Sequence, residues 1–369
     1  MKQFNIYFGR VIVGFVIVAL FVLGTGYHIM AKQYPRLYRG VRPLGMGDAF
    51  TAVADDENAL FYNPAGLSKI STFQIGIFNP LIEVSKKSID LVKDAQDADL
   101  DDTGEVSDLL REYVGEHQHF RVGLFPHVGF NVASAGVMIG GLAQGTLDAG
   151  IRNPVWPEAH VDVVIDYGAL GGFGLKLPFK GLRAGMALKF LKRESLSEIY
   201  TATDIADPDF SDRLEDDLHS GSGFSADLGV IYELDFVPVF DTSVALVVQN
   251  VPEMDMGDAR DIKTQANLGL SIEKSFSAFG LVAALDYKDL TGAIEEDDDI
   301  PKRIHIGAEL KFLKFLAVRA GLNQGYLSAG ATLELWVLRL DFATYSEEIG
   351  AYAGQREDRR YVAQLTIGW

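Results

Sequence analysis

The sequence predicts an all-β protein, a transmembrane antiparallel β-barrel of about 14 strands. Three observations predict it. Period-2 alternation of apolar and polar residues recurs through most of the chain after residue 70. The alternating segments run to about 9–13 residues, the length a tilted strand needs to cross a bilayer, whereas soluble strands run nearer 5–6. Aromatic residues gather at the segment ends (Phe224, Tyr232, Phe312, Tyr326, Trp336, Tyr345 and Tyr361), where interfacial girdles belong.

The N-terminus reads as an address. Lys2 and Arg10 precede an apolar run from Val11 to Gly26 whose one polar residue is Thr25, the layout of a secretory signal. Cleavage is placed after Gly26 or Ala31, so residues 1–31 form the expected signal peptide. The competing reading is an uncleaved anchor, for which the run falls short of the roughly 20 residues of a spanning helix. Beyond it no stretch is long enough for such a helix. An exported apolar chain then buries its surface as a soluble β-protein or as a closed barrel, the other architecture that satisfies the backbone in lipid.

Residues 32–70 break the alternation and form the second expected unit, a hatch or plug. Gly45 and Gly47 suit a tight turn or close backbone approach. Asp55 and Asp56 are placed to cap a short helix over Asn58 to Tyr62, which Asn63-Pro64 ends. A small, Gly-rich, partly apolar segment before the first strand suits a barrel lumen.

Residues 71–369 form the barrel. Its segments begin near Phe73, Phe120, Ala135, His160, Leu182, Gly221, Thr242, Ile262, Ala278, Lys302, Phe315, Gly325, Trp336 and Arg360. Val161 to Leu177 reads as one long strand or two short ones. One face of each segment carries the apolar residues, as in Ile304, Ile306, Ala308, Leu310 and Phe312. The inward face carries Arg183, Lys189, Asp227, Glu233, Lys263, Arg303, Glu309, Arg319, Arg339 and Asp341. This is either a structural ion-pair network or the lining of an aqueous pore. Long acidic insertions are expected at 85–118, 195–220, 251–261 and 289–301, facing outward as long barrel loops do. A short helix is expected over Ser107 to Val114.

Two motifs now carry a resemblance. Gly45-Met46-Gly47 with Ala49-Phe50, and Asn63-Pro64-Ala65-Gly66-Leu67, resemble the paired signatures in the hatch of FadL-type outer-membrane transport proteins. The tail from Ala353 to Trp369, with its terminal aromatic, is similar to the end of related barrels, a wider group that includes PorV-like proteins of a secretion system. The resemblance implies a 14-stranded barrel in the outer membrane of a Gram-negative bacterium. It also implies a hatch inside the barrel and passage of hydrophobic small molecules. Gly45, Gly47, Phe50, Asn63, Pro64, Ala65 and Gly66 become hatch or gating residues, although Asn63 and Pro64 also suit a purely structural turn. The FadL type opens a lateral path at a kinked strand. The cluster Gly168, Gly171, Gly172 and Gly174 is the candidate for that kink, the alternative being a turn or an ordinary bend.

Composition narrows the rest. Cys is absent, which excludes disulfides and thiolate sites, and a net charge of −18 argues against nucleic acid as a partner. Asp97-x-Asp99-x-Asp101 begins like a calcium loop, but Asp102 stands where that loop requires Gly. His117-x-His119 has no third ligand nearby, so no metal or other cofactor is expected. Nucleophile-elbow, phosphate-loop and zinc-protease motifs are missing, and the chain reads as a non-enzyme. The expected function is passive uptake of fatty acids or hydrocarbons through a hatch-gated channel. The alternative is a PorV-like barrel that docks exported proteins or secretion machinery. Expected partners are outer-membrane lipids and lipopolysaccharide, a hydrophobic small-molecule ligand and, on the alternative reading, an exported protein.

Overall fold

The computed structural model describes residues 37–70, 73–97, 103–153, 155–156, 158–205, 207, 209–234, 239–293, 299–312 and 315–368. The expected signal at 1–31, the start of the hatch at 32–36, Asp99, Asp101, Asp102, Glu295 to Asp298 and Trp369 lie outside the described residues.

Sixteen ladder segments form one antiparallel sheet. Two strands are each split in half, so the wall has fourteen. β1 comprises Phe73–Phe78 and Leu81–Ser85; β2 comprises His117–Leu124 and His127–Val132. The others are β3 (Ala135–Arg152), β4 (Glu158–Lys176), β5 (Leu182–Thr201), β6 (His219–Leu234), β7 (Asp241–Val251) and β8 (Gln265–Ser275). They continue with β9 (Phe279–Tyr287), β10 (Ile304–Phe312), β11 (Leu316–Asn323), β12 (Tyr326–Leu335), β13 (Leu338–Glu348) and β14 (Glu357–Gly368). Each strand pairs with its sequence neighbours, and β14 closes the ring by pairing with both halves of β1. Closure leaves the sheet without a free edge, as a lipid environment demands.

Outward positions hold Ile139, Phe190, Leu228, Leu246, Leu270, Leu285, Ile306, Leu340 and Phe342, all exposed; inward positions hold Lys189, Asp227, Glu309, Arg319 and Asp341, all buried. This inversion of a soluble protein's pattern suits a lipid-facing wall.

The structure settles the open stretch at 161–177 as one strand. Ile262 does not start β8; it bonds back to Met254, so pairing resumes at Gln265. Trp336 is not in a strand either. At φ +58° it forms the turn before β13. Connections at one end are short. Those at the other end include 86–116, 202–218, 252–264 and 288–303. The second insertion is smaller than 195–220 because β5 runs to Thr201 and β6 resumes at His219.

β3 to β5 have 18, 19 and 20 residues, nearly twice a bilayer crossing, and they project from the long-loop end. Their upper outward residues Leu147, Ile151, Val161, Val163, Leu196 and Tyr200 lie in a sealed apolar cluster with Leu91, Leu109, Phe210 and Leu214. Those last four come from α3 (Lys86–Asp97), α4 (Thr103–Glu112) and α6 (Phe210–Asp216). The helix expected over 107–114 therefore starts earlier, at Thr103. A fourth short helix, α5 (Ala202–Ile205), precedes α6.

Candidate functional site

Residues 37–70 touch all fourteen strands. Around the ring, Glu57 meets Gln74 of β1, Arg39 meets Arg121 of β2, Leu37 meets Gln144 of β3, and Leu60 lies over Gly172 of β4. Ser68 meets Arg183 of β5, Asn63 meets Val230 of β6, Phe61 meets Gln249 of β7, and Thr51 lies on Gly269 of β8. Phe50 meets Asp286 of β9, Gly47 meets His305 of β10, Gly45 meets Arg319 of β11 and Ser328 of β12, Arg39 meets Tyr345 of β13, and Tyr38 meets Gln364 of β14. A segment that touches the whole ring lies within it.

The approach is close. Gly47 has φ +63°, and a Cβ there would sit 2.3 Å from the carbonyl oxygen of Ile306. Wall glycines answer on the other side: a Cβ on Gly321 would lie 2.5 Å from the Gly47 nitrogen. Two short helices, α1 (Val41–Gly45) and α2 (Ala59–Tyr62), and a 3-10 turn at Pro64–Lys69 make up the segment. The expected helix near Asn58 is thus present, with Asp56 accepting the Asn58 N–H at 2.9 Å.

Asn63 is fully buried. Its Nδ2 donates to Thr51 O at 3.0 Å, and its Oδ1 accepts from Ala65 N at 3.1 Å. Pro64 and Ala65 press on Gly174 and Gly185, and Gly66 abuts the Ala54 carbonyl. Phe50 makes an edge-on contact with Tyr62 at 5.5 Å under the Arg42 guanidinium. Asp286, which sequence reasoning missed, accepts from Phe50 N (2.8 Å), Thr51 N (2.9 Å) and Thr51 Oγ1 (2.7 Å). Its signal was a lone inward acid in an otherwise apolar strand.

The glycine cluster in β4 is not a break in the wall. Gly168, Gly171, Gly172 and Gly174 pair without interruption to β3 and to β5. Gly172 and Gly174 instead make room for Leu60 and for the Pro64 turn.

The wall breaks between β1 and β2. Pairing runs to Gly76↔His127 on one side and resumes at Leu81↔Gly123 on the other. Pro80 and Pro126 sit in the gap, each unable to donate to a ladder. Both still serve their outer neighbours through carbonyls, Pro80 to Leu365 N at 3.2 Å and Pro126 to Gly141 N at 2.9 Å. Asn79 bridges the gap with its side chain, donating from Nδ2 to Phe125 O at 2.5 Å and accepting from Phe125 N at 2.8 Å. Behind the gap, Phe125 packs on Phe61 (4.8 Å between centroids) and Tyr38 (6.0 Å), which also contact each other at 4.5 Å. Outside it lies an apolar groove of ≈730 Å³ lined by Ile75, Ile77, Pro126, Val128, Ile139 and Phe190 among others.

Charge dominates the lumen elsewhere. Toward the short-turn end, a chamber of ≈520 Å³ is lined by Arg42, Asp55, Asp56, Glu57, Arg339 and Asp341 among others. Arg42 of the inner segment bonds Glu309 through Nε (2.9 Å) and Nη2 (2.8 Å) and also reaches Asp56 (2.7 Å). Of the expected inward charges, Lys189 pairs with Asp227 (2.6 Å), Arg319 with Glu309 (2.5 Å), Arg339 with Asp341 (2.8 Å) and Arg183 with Glu233 (2.8 Å). Lys263 departs from this. It precedes β8 and pairs with the exposed Glu253. His119 sits between Asp148 (2.7 Å) and Glu83 (2.8 Å), and His117 lies 3.1 Å from Asp358.

No family model matches the chain, and no curated protein matches its sequence. Solved structures do match. The Pseudomonas putida toluene transporter TodX is 11% identical, covers 91% of this chain and 99% of its own, and superposes with a TM-score of 0.50. The chain has the fold of these channels. The CymD monoaromatic hydrocarbon channel (11% identity, 91% and 98% coverage, TM-score 0.51) and the Ralstonia pickettii toluene transporter TbuX (12%, 92% and 98%, 0.50) match as well. The FadL-type barrel expected from the two motifs therefore holds at the level of the fold, with an even strand count of fourteen.

Proposed function

We propose that this chain is an outer-membrane channel for the passive uptake of hydrophobic small molecules, with residues 37–70 as its hatch. The observation that carries this reading is the break between β1 and β2, plugged by Phe125, Phe61 and Tyr38 and opening on an apolar groove. An apolar solute entering from the long-loop end meets ion pairs along the axis and an aromatic wall at the break. Desolvating those ion pairs is costly, so the axial route disfavours it. The lateral route asks only that aromatic rings move aside.

An uncharged hydrocarbon suits this exit better than a fatty acid. The cations nearest the ring cluster, Arg39 and Arg121, are already held by Glu347 and Glu83. A carboxylate would find no uncommitted partner in them.

The test offers radiolabelled toluene and oleate separately to cells lacking the chain and complemented with it. Faster toluene entry than with an unrelated barrel supports the reading. Oleate entry alone would move the substrate to fatty acids. No gain for either would remove the channel function and favour a docking role.

A further inference from the structure

Just above the lipid-facing wall, the outer surface at the tops of β13, β14 and β1 carries a second depression. It measures ≈630 Å³ and is lined by Lys86, Lys87, Arg356 and Arg359 together with Thr344 and Tyr361. The same lining holds Glu116, Glu357 and Asp358, so four cations against three carboxylates leave a small positive excess in a chain of net charge −18. Two of them are matched, Lys87 by Glu116 at 2.6 Å and Arg359 by Glu357 at 2.8 Å. Lys86 is exposed and makes no ion pair among the described residues, and Arg356 spends one nitrogen on the Gly115 carbonyl. The third nearby acid, Asp358, points into the lumen and is taken by Arg360 at 2.8 Å.

An apolar groove begins two residues further down the same strands. Thr344 and Tyr361 line the basic cavity and face each other across the ladder; Phe342 and Ala363 are the next outward pair. Phe342 and Ala363 line a groove of ≈470 Å³ with Ile82, Leu333, Leu340 and Leu365. Ala363 is the small residue between Phe342 and Ile82, its partners on either side, and it leaves the groove its depth. A cavity with a basic excess above an apolar trough fits an amphiphile with a phosphate head and acyl chains.

We propose that this surface binds the phosphorylated, multiply acylated glycolipid of the outer leaflet. A phosphate would lie among Lys86, Lys87, Arg356 and Arg359, and an acyl chain along Ala363. The choice of the outer leaflet rests on the reading above, in which the long connections face outward. Arginine and lysine are the side chains that bind phosphate, and each basic residue near an anionic membrane surface adds to attraction.

The full chain, purified in mild detergent, is titrated with lipid A and separately with phosphatidylethanolamine, and bound lipid is read by native mass spectrometry. Lipid A should bind more tightly. The combined Lys86→Gln, Lys87→Gln and Arg359→Gln variant should weaken lipid A about tenfold and leave phosphatidylethanolamine unchanged. The proposal is overturned if the parent holds both lipids equally, or if the folded triple variant holds lipid A unchanged. Should that variant fail to fold, Ala363→Trp fills the trough without touching a charge, and unchanged lipid A binding would then sink the idea. Toluene uptake is measured on the same variants. Lost lipid with normal uptake supports the site, whereas a parent that gives no uptake removes the channel reading and leaves the lipid result standing.

Discussion

The side chain of Asn79 does for Phe125 what a neighbouring strand does elsewhere in the wall, taking its N–H at 2.8 Å and its carbonyl at 2.5 Å. One amide thus replaces the ladder across the break, and the ring of Phe125 is held over Phe61. A buried backbone pair left without partners is expensive, so Asn79 carries the hydrogen bonding across the break, and on the proposed function it pins the closed state.

Asn79→Ala removes both bonds and should destabilise the closed break by about 2–3 kcal/mol, the desolvation cost of orphaned buried groups. Toluene uptake should rise, and the Phe125 amide should exchange faster in deuterium. Unchanged exchange would mean that pairing on the outer sides of β1 and β2 suffices.

Gly47→Ala should be far worse than Gly115→Ala. Both glycines have positive φ, +63° and +88°, so both substitutions carry strain of about 1–2 kcal/mol. Only at Gly47 does the added Cβ meet wall backbone, at 2.3 Å; at Gly115 nothing lies within 4 Å. A larger fall in melting temperature at Gly47, with new proteolysis inside 37–70, is the expected result. Equal falls would mean that the inner segment yields without resistance.

Arg42→Ala leaves Glu309, Asp55 and Asp56 without their shared cation. Removing one partner of a buried ion pair typically costs about 3–5 kcal/mol. Lys311 and Arg319 still hold Glu309, so the loss should fall toward the lower end of that range. The inner segment should loosen, and conductance in planar bilayers should rise above that of the parent. A silent variant would show that the glycine contacts alone retain the segment.

The barrel was legible because strand periodicity survives in lipid: Ile304 to Phe312 alternates in sequence and in space. The inner segment was legible through glycines whose positions only make sense against another backbone, as at Gly47. The kink expected at the glycine cluster is absent because glycine is an ambiguous signal. In β4 it makes room for Leu60 and Pro64 and breaks nothing. The break in pairing falls instead at Pro80 and Pro126, which remove donors from a ladder, but their alignment across two strands depends on a register the sequence does not display. Asp286 was hidden for a similar reason, since its partners lie 235 and 236 residues away.

Strong acid should loosen the α5–α6 cover. Asp204 accepts from Thr201 N at 2.8 Å, Thr201 Oγ1 at 2.7 Å and Arg213 Nη1 at 2.5 Å. Burial alone would raise its carboxyl, but the Thr201 bonds and the Arg213 guanidinium outweigh it and hold the carboxyl below its usual range. A carboxylate depressed in the folded state adds stability that is complete above its ordinary value, about pH 4, and is lost as pH falls through the lower folded value. The cover should therefore stay closed at mildly acidic pH and open only in stronger acid. The chain has no Cys, so a fluorophore on Asp212→Cys reports α6 alone. Its signal should shift below about pH 4 in the parent. Adding Asp204→Asn should weaken the cover at neutral pH and abolish that shift. A shift that persists with Asn at 204 would assign the acid sensitivity to another carboxylate.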